Sequence, residues 1–84
     1  MNKISIIIPI LNEAKTIVSL LQHLIGNSSK ENISEIIVVD GGSNDESVKL
    51  VSEFSISNSK IILISSERGR AMQMNFGKLK ATGT

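Results

Sequence analysis

The chain has 84 residues, a net charge of +1, 40% hydrophobic and 20% charged residues, the make-up of one small globular domain that buries only ~60–65% of its unfolded surface. A charge so close to zero points to neither nucleic acid nor an anionic membrane, and two Phe with no Trp or Tyr offer no stacking platform for single strands. The absence of cysteine excludes disulfides and thiolate metal sites and leaves the redox compartment open.

Met1-Asn2-Lys3 followed by apolar Ile4 to Leu11 has the outline of a short signal peptide. Asn12, Glu13 and Lys15 stand where a small-residue cleavage site belongs, so that reading is set aside. No apolar run approaches the ~18–20 residues that cross a bilayer. The expected location is cytoplasmic, with the inner face of a membrane open to a longer form. Asn27-Ser28-Ser29 and Asn32-Ile33-Ser34 match the glycosylation sequon by chance on this reading.

Ile4 to Pro9 is the first expected strand, apolar but for Ser5 and ended by a proline that cannot donate to a ladder. Asn12 is expected to cap a first helix. From Ile17 through Leu20, Leu21, Leu24 and Ile25 the apolar residues keep the spacing of one helical face, and Gly26 with Asn27 supplies a left-handed stop. Ser28 to Ile33 is a polar connector.

The stretch Glu35 to Asp45, Glu-Ile-Ile-Val-Val-Asp-Gly-Gly-Ser-Asn-Asp, organises the rest. Branched apolar residues from Ile36 to Val39 suit a strand buried on both faces of a parallel sheet. Asp40 is its acidic tip. Gly41 and Gly42 permit a sharp turn and a ligand's close approach, and Ser43 with Glu46 has the spacing of a capping box that opens a second helix. Val48, Leu50, Val51 and Phe54 give that helix an apolar side, with an end expected near Ser55.

Lys60 to Ser65 is a third buried strand, and Ser66 to Arg70 a charged turn hinged at Gly69. Ala71 to Ala81 reads as a third helix with Met72, Phe76 and Leu79 on one stripe, and with Gly77 costing about 1 kcal/mol relative to Ala. Strands alternating with helices predict an α/β fold, βαβαβα, with a parallel sheet, right-handed crossovers and strand order 3-2-1. Strand 1 then keeps one edge unpaired, which predicts self-association or a missing neighbour.

Ligands of open α/β sheets bind at the carboxyl edge. Asp40 lies there, with two readings open: it accepts hydrogen bonds from a ribose hydroxyl or a base N–H, or it bonds its own turn. Asn12 and Glu13, at the tip of strand 1, are accounted for by capping and the helix dipole. Arg68 and Arg70 place two cations at a helix N-terminus, against the dipole; an anionic ligand and plain solvation explain them equally. His23 reads as a packing or surface residue, and Met72 and Met74 as core filler. Neither G-x-G-x-x-G nor G-x-x-x-x-G-K occurs, and Asp45 stands where an EF-hand loop needs glycine.

Three ordered segments carry a family resemblance: Ser5-Ile6-Ile7-Ile8-Pro9 with Asn12-Glu13; Glu35 through Asp45; and Gly69 with Asn75 and Gly77. Together they resemble the start of a family 2 glycosyltransferase, and Arg68-Gly69-Arg70-Ala71 to Gln73-Met74-Asn75 is similar to one bacterial-type subgroup. The resemblance implies a three-layer Rossmann-like half of a GT-A fold, with residues 1–84 as the nucleotide-sugar-binding N-terminal portion of an incomplete domain. It implies an inverting enzyme that transfers sugar from a nucleotide diphosphate, UDP being the commonest, to an acceptor hydroxyl. Carried over by position, Asp40 bonds the base, Pro9, Ile10, Leu11, Asn12 and Glu13 line base and ribose, Gly41 and Gly42 form the turn, and Arg68 or Arg70 reaches base or phosphates. Asp45 supports the turn.

The family's Mg²⁺ or Mn²⁺ is held by an Asp-x-Asp-like motif after a fourth strand, and its base lies later still; neither falls within these residues. No catalytic or metal residue is therefore assigned to this chain, which is expected to be inactive alone. Competing readings are a non-catalytic nucleotide-binding or interaction module, a receiver-type domain, and a truncated fragment without function. The receiver reading needs an acidic cluster after strand 1 and an Asp after strand 3, where Asn12-Glu13 and Glu67-Arg68 stand instead.

Overall fold

The computed structural model describes residues 4–27 and 33–81. Its elements follow the expected alternation: β1 Ile4–Ile10, α1 Ile17–Asn27, β2 Ile33–Asp40, α2 Ser47–Ser57, β3 Ile61–Ser65 and α3 Arg70–Lys80. The strands form one parallel sheet in the order β1-β2-β3, which is the expected 3-2-1 seen from the other edge. The connector expected before β2 and the residues before β1 lie largely outside the described residues.

Register explains the burial. Ile6, Ile36 and Ile61 form one cross-strand row and Ile8, Val38 and Leu63 the next, and both rows meet Ile17 and Leu21 of α1 and Val51 of α2 in a single core. The opposite face carries Ile7, Ile37 and Val39 under α3, which packs on β1 and β2. Ile36 to Val39 are buried on both faces, as an uninterrupted branched run requires. Glu35, also buried, accepts the Ser5 hydroxyl at 2.6 Å from the adjacent strand. Residues 5–9 of β1 are only half-buried, because among the described residues β1 pairs with β2 alone.

Several local expectations are corrected. Asn12 does not cap α1; the first helical carbonyl is that of Glu13, which accepts Thr16 N–H and Ile17 N–H. Leu20 turns outward at 41% exposure, while Val18 takes its place against the core. Gly26 is a helical residue, since α1 runs on to Asn27. The Ser43–Glu46 capping box does not form: α2 begins at Ser47, and Glu46 at its N-cap makes no side-chain capping bond. The helix also runs two residues past Ser55, to Ser57.

In α3 only Phe76 of the expected stripe is half-buried. Met72 and Leu79 are exposed, and the buried positions are Gln73 and Gly77. A Cβ on Gly77 would lie 2.5 Å from Ile7 Cγ2 and 3.2 Å from Val39 Cγ2. Gly77 is thus where the helix backbone rests directly on the sheet, and its propensity cost is the condition of that approach.

Candidate functional site

The carboxyl edge of the sheet is built by two turns that cap each other. The turn between β1 and α1 has no ladder of its own, and its backbone N–H groups find their acceptors in the β2–α2 turn. Asn12 N–H donates to Ser43 Oγ at 2.9 Å, Glu13 N–H to Ser47 Oγ at 2.8 Å and Ala14 N–H to Asp45 Oδ2 at 3.2 Å. In return Asn44 N–H donates to Asn12 Oδ1 at 2.7 Å. Asn12 holds φ 55, a left-handed conformation that asparagine tolerates better than most residues.

Asp45 supports the turn, as expected. Its Oδ1 accepts the Ser47 hydroxyl at 2.5 Å and the Ser47 N–H at 2.9 Å. The Ser47 hydroxyl, then the Ser47 N–H, hold the Asp45 carboxyl below its ordinary value, outweighing a small opposing effect of burial, with Ala14 N–H adding to them. Ser47 itself is fully buried. Its importance was not visible in the sequence, where it was one of many serines.

For Asp40 the geometry fills the second of the two readings. Its Oδ2 accepts Gly42 N–H at 3.0 Å and Ser43 N–H at 3.1 Å, and its Oδ1 accepts the Ser43 hydroxyl at 2.5 Å. The residue is 4% exposed, so a ligand N–H gains Asp40 only by displacing Ser43. Gly42, at φ 97, is exposed and gives the edge open backbone. Gly41 does not: a Cβ there would meet Gln73 Oε1 at 2.7 Å, so the space it clears is filled by the protein itself.

Arg68 lies across this turn. Its Nη2 donates to Gly42 O at 3.2 Å and its Nε to Gly41 O at 3.5 Å, so the guanidinium pairs with carbonyls rather than with Asp40 or Asp45. Arg70 is the exposed first residue of α3 and has no polar side-chain partner among the described residues. Pro9, Ile10 and Glu13 line a separate cleft of about 180 Å³ with Ile8, Thr16, Ile17 and Leu20. Leu11 is half-buried.

The structure therefore brings Asn12, Asp40, Gly41, Gly42 and Arg68 together, with Pro9, Ile10 and Glu13 on the α1 side. It adds Gln73, which lay within the third motif segment but carried no assigned role. A divalent metal is not accommodated by these residues: among the described residues no three His, Asp or Glu side chains converge, and the carboxylates of Asp40 and Asp45 are engaged by their own turns. What the edge offers is a guanidinium, exposed glycine backbone and a rigid turn, groups suited to holding a ligand. Among the described residues no helix is long and apolar enough to cross a membrane.

A family model described as Glycosyl transferase family 2 matches residues 5–84. The chain is similar to glycosyltransferase GlyG of Streptococcus pneumoniae, 33% identical over 82 residues that make up 95% of this chain and 27% of that protein. It is 37% identical over 65 residues to the undecaprenyl-phosphate 4-deoxy-4-formamido-L-arabinose transferase of Proteus mirabilis, covering 75% of this chain and 20% of the relative. Glycosyltransferase AglE of Haloferax volcanii is 29% identical over 82 residues, 95% of this chain and 27% of that protein. The chain thus spans between 20% and 27% of the length of these relatives.

Proposed function

The chain belongs to glycosyl transferase family 2, and from that premise we propose that residues 1–84 are the nucleotide-sugar-binding N-terminal portion of a cytoplasmic glycosyltransferase domain. The donor is a nucleotide-diphosphate sugar, UDP-linked, and transfer goes to an acceptor hydroxyl with inversion. The observation that supports this reading is the convergence of Asn12, the Asp40 turn and Arg68 on the carboxyl edge of the sheet.

In this reading Arg68, with Arg70 beside it at the start of α3, meets the negative charge of the diphosphate. The carbonyl partners of Arg68 leave its positive charge uncompensated, so an anion is favoured there. Exposed Gly42 lets the ligand lie against backbone. Asp40 holds the turn, and a base N–H reaches it in exchange for the Ser43 hydroxyl. Pro9 to Glu13 bound the base and ribose. The described residues bind and orient; a base for the acceptor proton and ligands for Mg²⁺ or Mn²⁺ are not among them, so the chain alone is expected to give no turnover.

The test is an amide NMR titration with UDP, with Arg68→Ala as control. Shifts confined to Asn12, Asp40 to Ser43 and Arg68 to Arg70, and weakened about tenfold or more in the variant, are the expected result. A folded protein whose spectrum ignores UDP overturns the reading, and sugar transfer by the chain alone overturns its incompleteness.

A further inference from the structure

We infer that Gln73 is a positioning residue that fixes the three strand ends relative to one another and so sets where Arg68 and Gly42 stand at the binding edge; the functional part of this inference rests on the nucleotide-sugar reading above.

Gln73 belongs to α3, but its side chain is buried at 4% exposure under the sheet's carboxyl edge. Its Nε2 donates to Ile10 O at 2.9 Å, at the end of β1, and to Val39 O at 2.7 Å, near the end of β2. Its Oε1 accepts Gly69 N–H at 3.3 Å, in the turn that follows β3. One amide therefore ties the ends of β1 and β2 to the turn that follows β3. The amide's orientation is forced: reversing it would set Oε1 against two carbonyl oxygens and aim an NH₂ at an N–H.

The surroundings are shaped for this side chain. Gly41 clears the space its amide fills, with a Cβ there meeting Gln73 Cδ at 2.8 Å. The helix N–H of Gln73 also donates to Gly69 O at 2.9 Å, so Gln73 and Gly69 are joined twice. Gly69 sits at φ 132, directly after Arg68. Arg68 in turn donates back to Gly41 O and Gly42 O. A closed circuit results: Gln73 holds Gly69, Gly69 aims Arg68, Arg68 grips the Gly41–Gly42 turn, and that turn packs on Gln73. Loss of the amide leaves the core rows of the sheet in place and releases the edge.

The experiment compares the 84-residue protein with Gln73→Met and Gln73→Glu by amide and arginine-side-chain NMR, first without ligand. In Gln73→Met the Gly41, Gly42, Gly69 and Arg68 Nε–H signals move, and Arg68 Nε–H exchanges about tenfold faster or more, while Ile36 to Val38 amides keep their shifts. In Gln73→Glu the same signals depend on pH. The ionised carboxylate has no donor for Ile10 O and Val39 O, whereas the protonated acid restores one of the two, so the signals move toward their wild-type positions on acidification. A merely structural role would lower the melting temperature without this pH-linked, edge-confined response.

Edge signals unmoved in folded Gln73→Met, or pH-independent in Gln73→Glu, overturn the inference. UDP is then added: binding at least about tenfold weaker in Gln73→Met is expected. If wild-type protein ignores UDP, the nucleotide reading fails, while the positioning of Arg68 is still decided by the ligand-free spectra.

Discussion

Replacing Ser47 by alanine probes the mutual capping of the two turns most directly. The Ser47 hydroxyl accepts Glu13 N–H at 2.8 Å and donates to Asp45 Oδ1 at 2.5 Å, from a fully buried position. Alanine fits the same space but leaves the partly buried Glu13 N–H without its acceptor, which costs about 1–3 kcal/mol. A domain of 84 residues has about 4–13 kcal/mol in all. At about 4–8 °C per kcal/mol for this size, the melting temperature falls by about 4 °C or more.

The same substitution has a pH signature. Ser47 is the main cause that holds the Asp45 carboxyl below its ordinary value. A depressed carboxylate contributes stability that is fully present above its unfolded pKa and is lost as pH falls through its folded pKa. Removing Ser47 returns Asp45 toward its unfolded behaviour, so the acid-side loss of stability shrinks in Ser47→Ala. Thermal melts of both proteins from neutral pH down through the acidic range check this. The two melting temperatures should lie furthest apart near neutrality and draw closer in acid, with the part due to the Glu13 N–H remaining. No difference at any pH would refute the capping argument, and a constant difference would refute the link to Asp45.

Gly77→Ala should destabilise despite a helix-propensity gain of about 1 kcal/mol, because overpacking against Ile7 and Val39 costs about 1–3 kcal/mol; a raised melting temperature would show that α3 does not rest on the sheet there. Gly41→Ala should cost more in the wild-type background than in Gln73→Ala, where the clashing amide is gone, and a coupling of about 0.5 kcal/mol or more by chemical denaturation is the expected reading of that cycle. The edge of β1 that is unpaired among the described residues should drive self-association, seen as a sedimentation coefficient that rises with concentration. A monomer throughout the accessible range would remove that expectation.

Element order, strand direction and sheet order were legible because they rest on local signals. Ile36 to Val39 can only be a doubly buried strand, and the apolar spacing from Ile17 to Ile25 can only be a helix. The two capping expectations fail for one reason: the partners of Asn12 and Ser43 lie far away in sequence. Asn12 and Ser43 each have the chemistry of a local N-cap, but each spends it on the other turn, about 30 residues away. For α3 the error was one of polarity. Met72, Phe76 and Leu79 looked like the inward stripe because they are apolar, while the true inward stripe is a glutamine and a glycine. Only the close backbone approach at Gly77 and the Ile10 and Val39 carbonyls that accept the Gln73 amide make those two residues the right ones, and neither condition exists before the sheet is assembled.

This cross-capping changes what the motif residues mean. Asn12-Glu13 and Ser43 to Ser47 are separated in sequence but form one hydrogen-bonded unit, in which the turn leading into α1 is completed by the turn that leads into α2. Asp40 and Asp45 are the two anchors of that unit, each accepting from a serine hydroxyl and from the backbone beside it. Residues whose side chains are committed in this way contribute to recognition by giving the edge its shape. In the function proposed above, contact with an anionic ligand falls to the groups left exposed on that edge, the Gly42 backbone and the guanidinium groups of Arg68 and Arg70. On that proposal a small sheet can present a defined edge because its precision lies in the hydrogen-bonded turns, which do not depend on a large core.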